Sequence, residues 1–249
     1  MDHLKSPIDR VAAAVEAHLA DEGSGHDWPH IRRVRKVAEQ LAHEEGADVQ
    51  VAVLAALLHD VDDRKLTGDL QTEIDLPMAR RMMADAGVGM NLAETVCDTI
   101  GMIGFHKSLK NARERSLEAR IVSDADQLDA IGNVGIARTF VYGASKKRPM
   151  FEPDNMPMTE FTAEQYDTNR GSTVNHFFEK LLKLRGLMGT ASGRKEAEIR
   201  HGRMVTFLRD FFIETDAPQE WMEMLEPFGR PQDGAATATA AWSRDLNVA

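Results

Sequence analysis

A chain of 249 residues with 43% hydrophobic and 28% charged content can bury a substantial core, as one large domain or one domain with a tail. Its net charge of −10 argues against binding a nucleic-acid polymer over its whole surface, yet leaves room for a small basic pocket that takes an anionic substrate. Cys97 is the single cysteine and allows no internal disulfide, the N-terminus lacks a continuous apolar segment, and no apolar run approaches a membrane span, so a cytoplasmic protein is expected.

In chain order, Ile8, Val11, Val15 and Leu19 recur near helical spacing and predict a helix over residues 8–20. The glycines of DEGSGHDWPH break it, and Pro29 suits the first turn of a second helix over 29–45. That helix sets His30 on the same face as Val34, Val37 and Leu41. A lone histidine there is ordinarily a core residue bonded to backbone. GAD at 46–48 ends this helix and caps the next, in which the apolar run VAVLAALL is followed directly by His59, Asp60, Asp62 and Asp63. A run of this kind reads as a helix buried on most of its surface. Imidazole and carboxylate at its end are costly to desolvate unless paired, and a divalent metal is the simplest partner for an adjacent His and Asp.

A polar loop, DRKLTGDLQ, leads to two predicted helices over 72–87 and 90–103, split by GVG. His106, Lys107, Lys110, Arg113 and Arg115 then form a basic loop, which by itself reads as a solvated face. SLEARIVSDADQLDAI predicts a helix over 116–131 whose apolar face is Ile121, Leu128 and Ile131, with Asp124, Asp126 and Asp129 among them. Three carboxylates on a half-buried helix repel one another unless a cation or hydrogen-bond donors offset them. The stretch KKRPMFEPDNMPMTEFTAEQ is irregular and bears prolines, as functional covers and disordered segments do. Two closing helices are predicted over 172–189 and 194–214, and the end, PFGRPQDGAATATAAWSRDLNVA, is small-residue rich. The expected organisation is an all-α domain over 1–215 and a loosely packed tail over 216–249, since strand patterns are nearly absent.

The order His … His-Asp … Asp, each on a helix, resembles the HD-domain metal-dependent phosphohydrolases. HDWPHIRRV, LAALLHDVDD, EARIVSDADQLDAIGNVGIARTF and HFFEKLLKL together resemble the single-domain bacterial HD hydrolases, a group that includes nucleotide pyrophosphohydrolases, over about residues 20–215. The resemblance implies a helical bundle with the metal site between core helices. Its ligands fall on His30, His59, Asp60 and, as the Asp of A-D-x-L, on Asp126 rather than Asp124. Asp124 becomes a candidate to orient a ligating imidazole or a water, and Asp63 matches a carboxylate that orients or deprotonates the attacking water. His26 is placed in the pocket, contacting water or phosphate. Arg33 and Lys65 are candidate phosphate contacts, as are His106, Lys107, Lys146 and Lys147 around the basic loop and the long connection.

Two imidazoles and two carboxylates favour Mn, Fe, Co, Ni or Zn, with Mg able to arrive on the substrate phosphates. The implied activity is cleavage of a nucleotide or other small phosphate ester or anhydride by metal-activated water. The competing class is a regulatory module that holds metal or nucleotide without turnover. A cyclic-dinucleotide phosphodiesterase of the HD-GYP type is disfavoured because no GYP follows His59 and Asp60, and Arg64 replaces the second acid expected of a guanosine tetraphosphate hydrolase.

Overall fold

The computed structural model describes residues 6–20, 27–63, 68–103, 115–158 and 171–230. Among the described residues there is no strand, and no helix is long and apolar enough to cross a membrane. The chain divides into two compact units, residues 1–130 with 187–193, and residues 131–186 with 194–249. The sequence alone predicts a single domain ending at 215.

In the first unit, local sequence starts each helix. The Ser6 hydroxyl and the Asp9 side chain form a reciprocal capping box at the head of α1 (Pro7–His18). Asp27 accepts from the His30 backbone N–H at 3.0 Å and opens α2 (Trp28–Glu45), which closes on Gly46 at φ 70°. Asp48 accepts from Gln50 and Val51 N–H at 2.9 and 3.2 Å and starts α3 (Val49–Leu58). Every residue from Val51 to Leu58 is buried, as the unbroken apolar run requires. Helix α3 packs against α1, α2, α6 (Met90–Gly101) and α7 (Leu117–Asp129), and so forms the centre of this unit.

The helix expected over 72–87 is two helices, α4 (Leu70–Asp75) and α5 (Pro77–Asp85). Between them Leu76 takes a left-handed conformation, φ 51° and ψ 49°. Pro77 disfavours a helical residue before it, and that breaks the run. The buried Asp62 carboxylate accepts from Met78 and Ala79 N–H at 3.1 and 2.9 Å, so it caps α5.

The second unit opens with α8 (Gly132–Ser145). A left-handed Lys147, φ 56°, follows the helix, and the Arg148 N–H donates to Gly143 O at 2.9 Å. The predicted helix over 172–189 is instead a short α9 (Asn175–Glu179) and a 3₁₀ helix (Leu181–Leu187). They are followed by α10 (Ala191–Glu214). Phe177, Phe178, Phe212 and Trp221 are fully buried; Phe178 stacks on Phe212 with ring centroids 6.2 Å apart and meets Trp221 edge to face. The stretch expected as a loose tail from 216 begins with ordered structure. Gln219–Leu225 is helix α11, whose Trp221 indole donates to Pro153 O at 2.9 Å. Within this unit Arg185 donates to Glu198 at 3.2 Å and to Arg230 O at 3.0 Å, while His201 Nε2 donates to Phe228 O at 2.8 Å.

Candidate metal centre

Helices α2, α3 and α7 of the first unit bring the site together. His30 sits in the first turn of α2, where the Asp27 cap fixes the backbone. His59 and Asp60 follow the last residue of α3, and a tight turn leads the chain away, with Asp63 N–H donating to Asp60 O at 3.0 Å. His30, His59 and Asp60 offer ligand atoms that all lie within 4.8 Å of one another. Asp60 bridges the imidazoles, with one oxygen 3.2 Å from His59 Nε2 and the other 3.5 Å from His30 Nε2. Asp126 Oδ1, on α7, is 3.5 Å from His30 Nε2 and 4.0 Å from His59 Nε2.

These separations fit a shared cation. Ligand atoms ~2.1 Å from one ion and ~90–109° apart stand roughly 3.0–3.4 Å from each other, close to what is found here. The His59 ring gives the independent test. Its Nδ1 lies 2.9 Å from Ala56 O and donates there, which leaves Nε2 as the lone-pair nitrogen. That nitrogen is buried and forms no hydrogen bond among the described residues, and with the Asp60 oxygen 3.2 Å away it suits a cation shared between the two. Asp126 is the exposed member of the group, its side chain 44% exposed against 2% for His30.

Behind His30 stands a residue that composition and spacing left unassigned. His30 Nδ1 is 2.7 Å from Asp129 Oδ2, and Asp129 is itself held by Arg33, Nε to Oδ1 at 2.6 Å and Nη2 to Oδ2 at 2.9 Å. Burial works against protonation of His30, but Asp129, Asp60 and Asp126 outweigh it and raise its pKa to about 9. A cation at Nε2 competes with that proton.

The sequence model of the HD domain matches residues 28–131, the stretch that contains all of these groups. YpgQ of Bacillus subtilis, itself uncharacterised, is 35% identical over 219 residues, which are 88% of this chain and 97% of YpgQ. This chain belongs to the HD-domain family. The structure of YpgQ in complex with ADP is 31% identical and superposes with a TM-score of 0.65 over 83% of this chain and 97% of that one. An HD-superfamily hydrolase from Bacillus thuringiensis, also of known structure, is 36% identical with a TM-score of 0.67, over 85% of this chain and 97% of its own.

Among the other residues singled out from the HD resemblance, Asp124 is turned away from the metal group. Its buried carboxylate accepts from Gly189 N–H at 2.8 Å, Thr190 N–H at 2.9 Å and Thr190 Oγ1 at 2.6 Å, so it anchors the 187–193 segment instead of orienting a ligand. Arg33 binds Asp129 through Nε and Nη2, with the rest of its side chain partly exposed. Asp63 is partly buried in the turn after Asp60. Lys146 and Lys147 are exposed in the second unit, the Lys146 ammonium 5.5 Å from the Tyr142 ring. His26, Lys65, His106 and Lys107 lie outside the described residues. Asp129 was missed, although a signal for it exists. It follows Asp126 by three positions, and residues so spaced share a helix face, whereas Asp124 points elsewhere.

Proposed function

We propose that this HD-domain protein is a metal-dependent phosphohydrolase that cleaves a nucleotide or another small phosphate ester or anhydride. The observation that carries the reading is the convergence of His30, His59 and Asp60 within 4.8 Å, with a buried His59 Nε2 that has no hydrogen-bond partner among the described residues. Asp126 completes the proposed donor set from the exposed side. A bound divalent cation supplies Lewis acidity and lowers the pKa of a water to near neutrality. His30 and His59 would hold it through Nε2, while Asp60 and Asp126 would add the negative charge that keeps it bound. Two imidazoles in the set favour Mn, Fe, Co, Ni or Zn over an all-oxygen Mg site. Asp63 is assigned the role of orienting the attacking water and taking its proton. A nucleotide is favoured as substrate because a relative with 31% identity, YpgQ, has been crystallised with ADP.

The test is a panel of nucleoside mono-, di- and triphosphates and simple phosphate esters, each assayed with Mn, Co, Ni and Mg. Metal-dependent release of phosphate or pyrophosphate is expected from at least one nucleotide. Stoichiometric cation binding without turnover of any of them would make the protein a binding module, and the hydrolase reading would fall.

A further inference from the structure

The groups behind His30 have a purpose of their own, which depends on a cation being held at the proposed metal centre. We propose that Asp129 and Arg33 are positioning residues that hold His30 as an Nε2 donor, so that Arg33 governs cation affinity through Asp129 and not by touching substrate.

Three observations support this. First, the buried Asp129 carboxylate can only accept, and its Oδ2 is 2.7 Å from His30 Nδ1. The proton of a neutral imidazole therefore resides on Nδ1, and the lone pair is left on Nε2, the atom that faces Asp60 and Asp126 at 3.5 Å. Second, the same carboxylate is clamped by a two-point guanidinium contact at 2.6 and 2.9 Å. A planar fork of that kind fixes the plane of the carboxylate as well as its charge, which a lysine does not do. Third, all three residues come from two helices that pack against each other, His30 and Arg33 from α2 and Asp129 from α7. The ring orientation is thus tied to the helix pair and not to a loop. His59 is treated differently, since a backbone carbonyl, Ala56 O, takes its Nδ1 proton. A carboxylate makes its imidazole the more basic donor, so His30 is the ligand that chemistry at Asp129 can tune.

The arrangement also separates two roles that Arg33 could have. A phosphate contact would act on the Michaelis constant and leave metal binding alone. A positioning residue would act on metal binding, and its effect would vanish once Asp129 is gone.

The test uses the full chain with Mn and Co as probes, titrated against a chromophoric chelator in the absence of substrate, with the Co absorption spectrum as a readout of ligand geometry. Asp129→Asn is expected to weaken cation binding about 10- to 100-fold and to shift the Co spectrum, with helical circular dichroism retained. Arg33→Gln is expected to weaken it by a smaller factor, and the double variant to bind no more weakly than Asp129→Asn alone. Arg33→Gln with unchanged cation affinity would overturn the proposal, and so would a double variant whose losses multiply. Should Asp129→Asn fail to fold, Arg33→Gln, altered at a half-exposed side chain, decides the matter by the same titration. If the wild-type chain bound neither cation, the metal-centre reading itself would fall, whereas equal binding by wild type and both variants would remove only the role of Asp129 and Arg33.

Discussion

Asp124 and Asp126 lie two residues apart on α7 yet face different partners, so replacing each by alanine should give opposite results. Asp124→Ala removes the acceptor for three hydrogen bonds of 2.6–2.9 Å and strands the N–H groups of Gly189 and Thr190. Bonds to a charged acceptor contribute about 1.5–3 kcal/mol each, but three that share one carboxylate do not add. The expected loss is about 3–5 kcal/mol, a fall in Tm on the order of 10 °C for a chain of this size. Cation affinity should stay close to that of the wild type. Asp126→Ala, at a side chain 44% exposed, should cost less than about 1 kcal/mol of stability and lower cation affinity at least tenfold. Thermal melting in excess chelator isolates the stability effect from stabilisation by bound cation, and Mn or Co titration of the folded variants measures the other. The reasoning is refuted if Asp124→Ala melts with the wild type while losing the cation, or if Asp126→Ala binds it undiminished.

Asp60→Ala should abolish both metal content and hydrolysis while far-UV circular dichroism stays near wild type, because the α3 core of Leu54, Leu57 and Leu58 is untouched; elemental analysis of the purified variant checks it. The second unit should be acid-sensitive. Burial lowers the His201 pKa to about 4, against the pull of the Phe228 carbonyl and with the help of Arg185. Above pH 6.5 His201 is neutral in folded and unfolded chains alike, whereas between about 6.5 and 4 only the unfolded chain gains the proton, so stability drains away as pH falls through that window. The loss by pH 4 is about 3 kcal/mol, and urea midpoints compared across the window should be visibly flatter in His201→Gln. Gly143→Ala should also destabilise the second unit, by about 1–3 kcal/mol, because a Cβ there runs into the Thr173 hydroxyl; a depressed melting temperature with unchanged cation affinity is the expected pattern.

The helices that carry the proposed ligands were legible because their signals are local. An eight-residue apolar run predicts the buried α3, and Asp or Ser caps mark where α2, α3 and α7 begin. The supporting groups were harder to read, since a carboxylate's partner is set by tertiary packing. Nothing in the order of the letters says that Asp124 meets Thr190, which is 66 positions away. Arg33 shows the same limit, for an arginine near a metal site reads as a phosphate contact until a buried carboxylate is found in front of it. Other differences carry local signals in the sequence. Pro77 marks the break in the 72–87 run, and the helical spacing of Trp221 and Leu225 marks an element where a tail was expected. Both sit inside longer patterns that point the other way.

The burial of α3 on all sides has a kinetic corollary. Amide protons from Val53 to Leu58 bond within a helix that other helices enclose, so they should exchange with solvent only when the whole first unit opens. The turn that carries His59 and Asp60 begins where that protection ends. A cation held at the proposed centre would tie this turn to Asp126 on α7 and damp its local opening. Deuterium uptake followed with and without Mn should therefore slow in the 59–63 turn at low metal occupancy, well before any change is seen along α3.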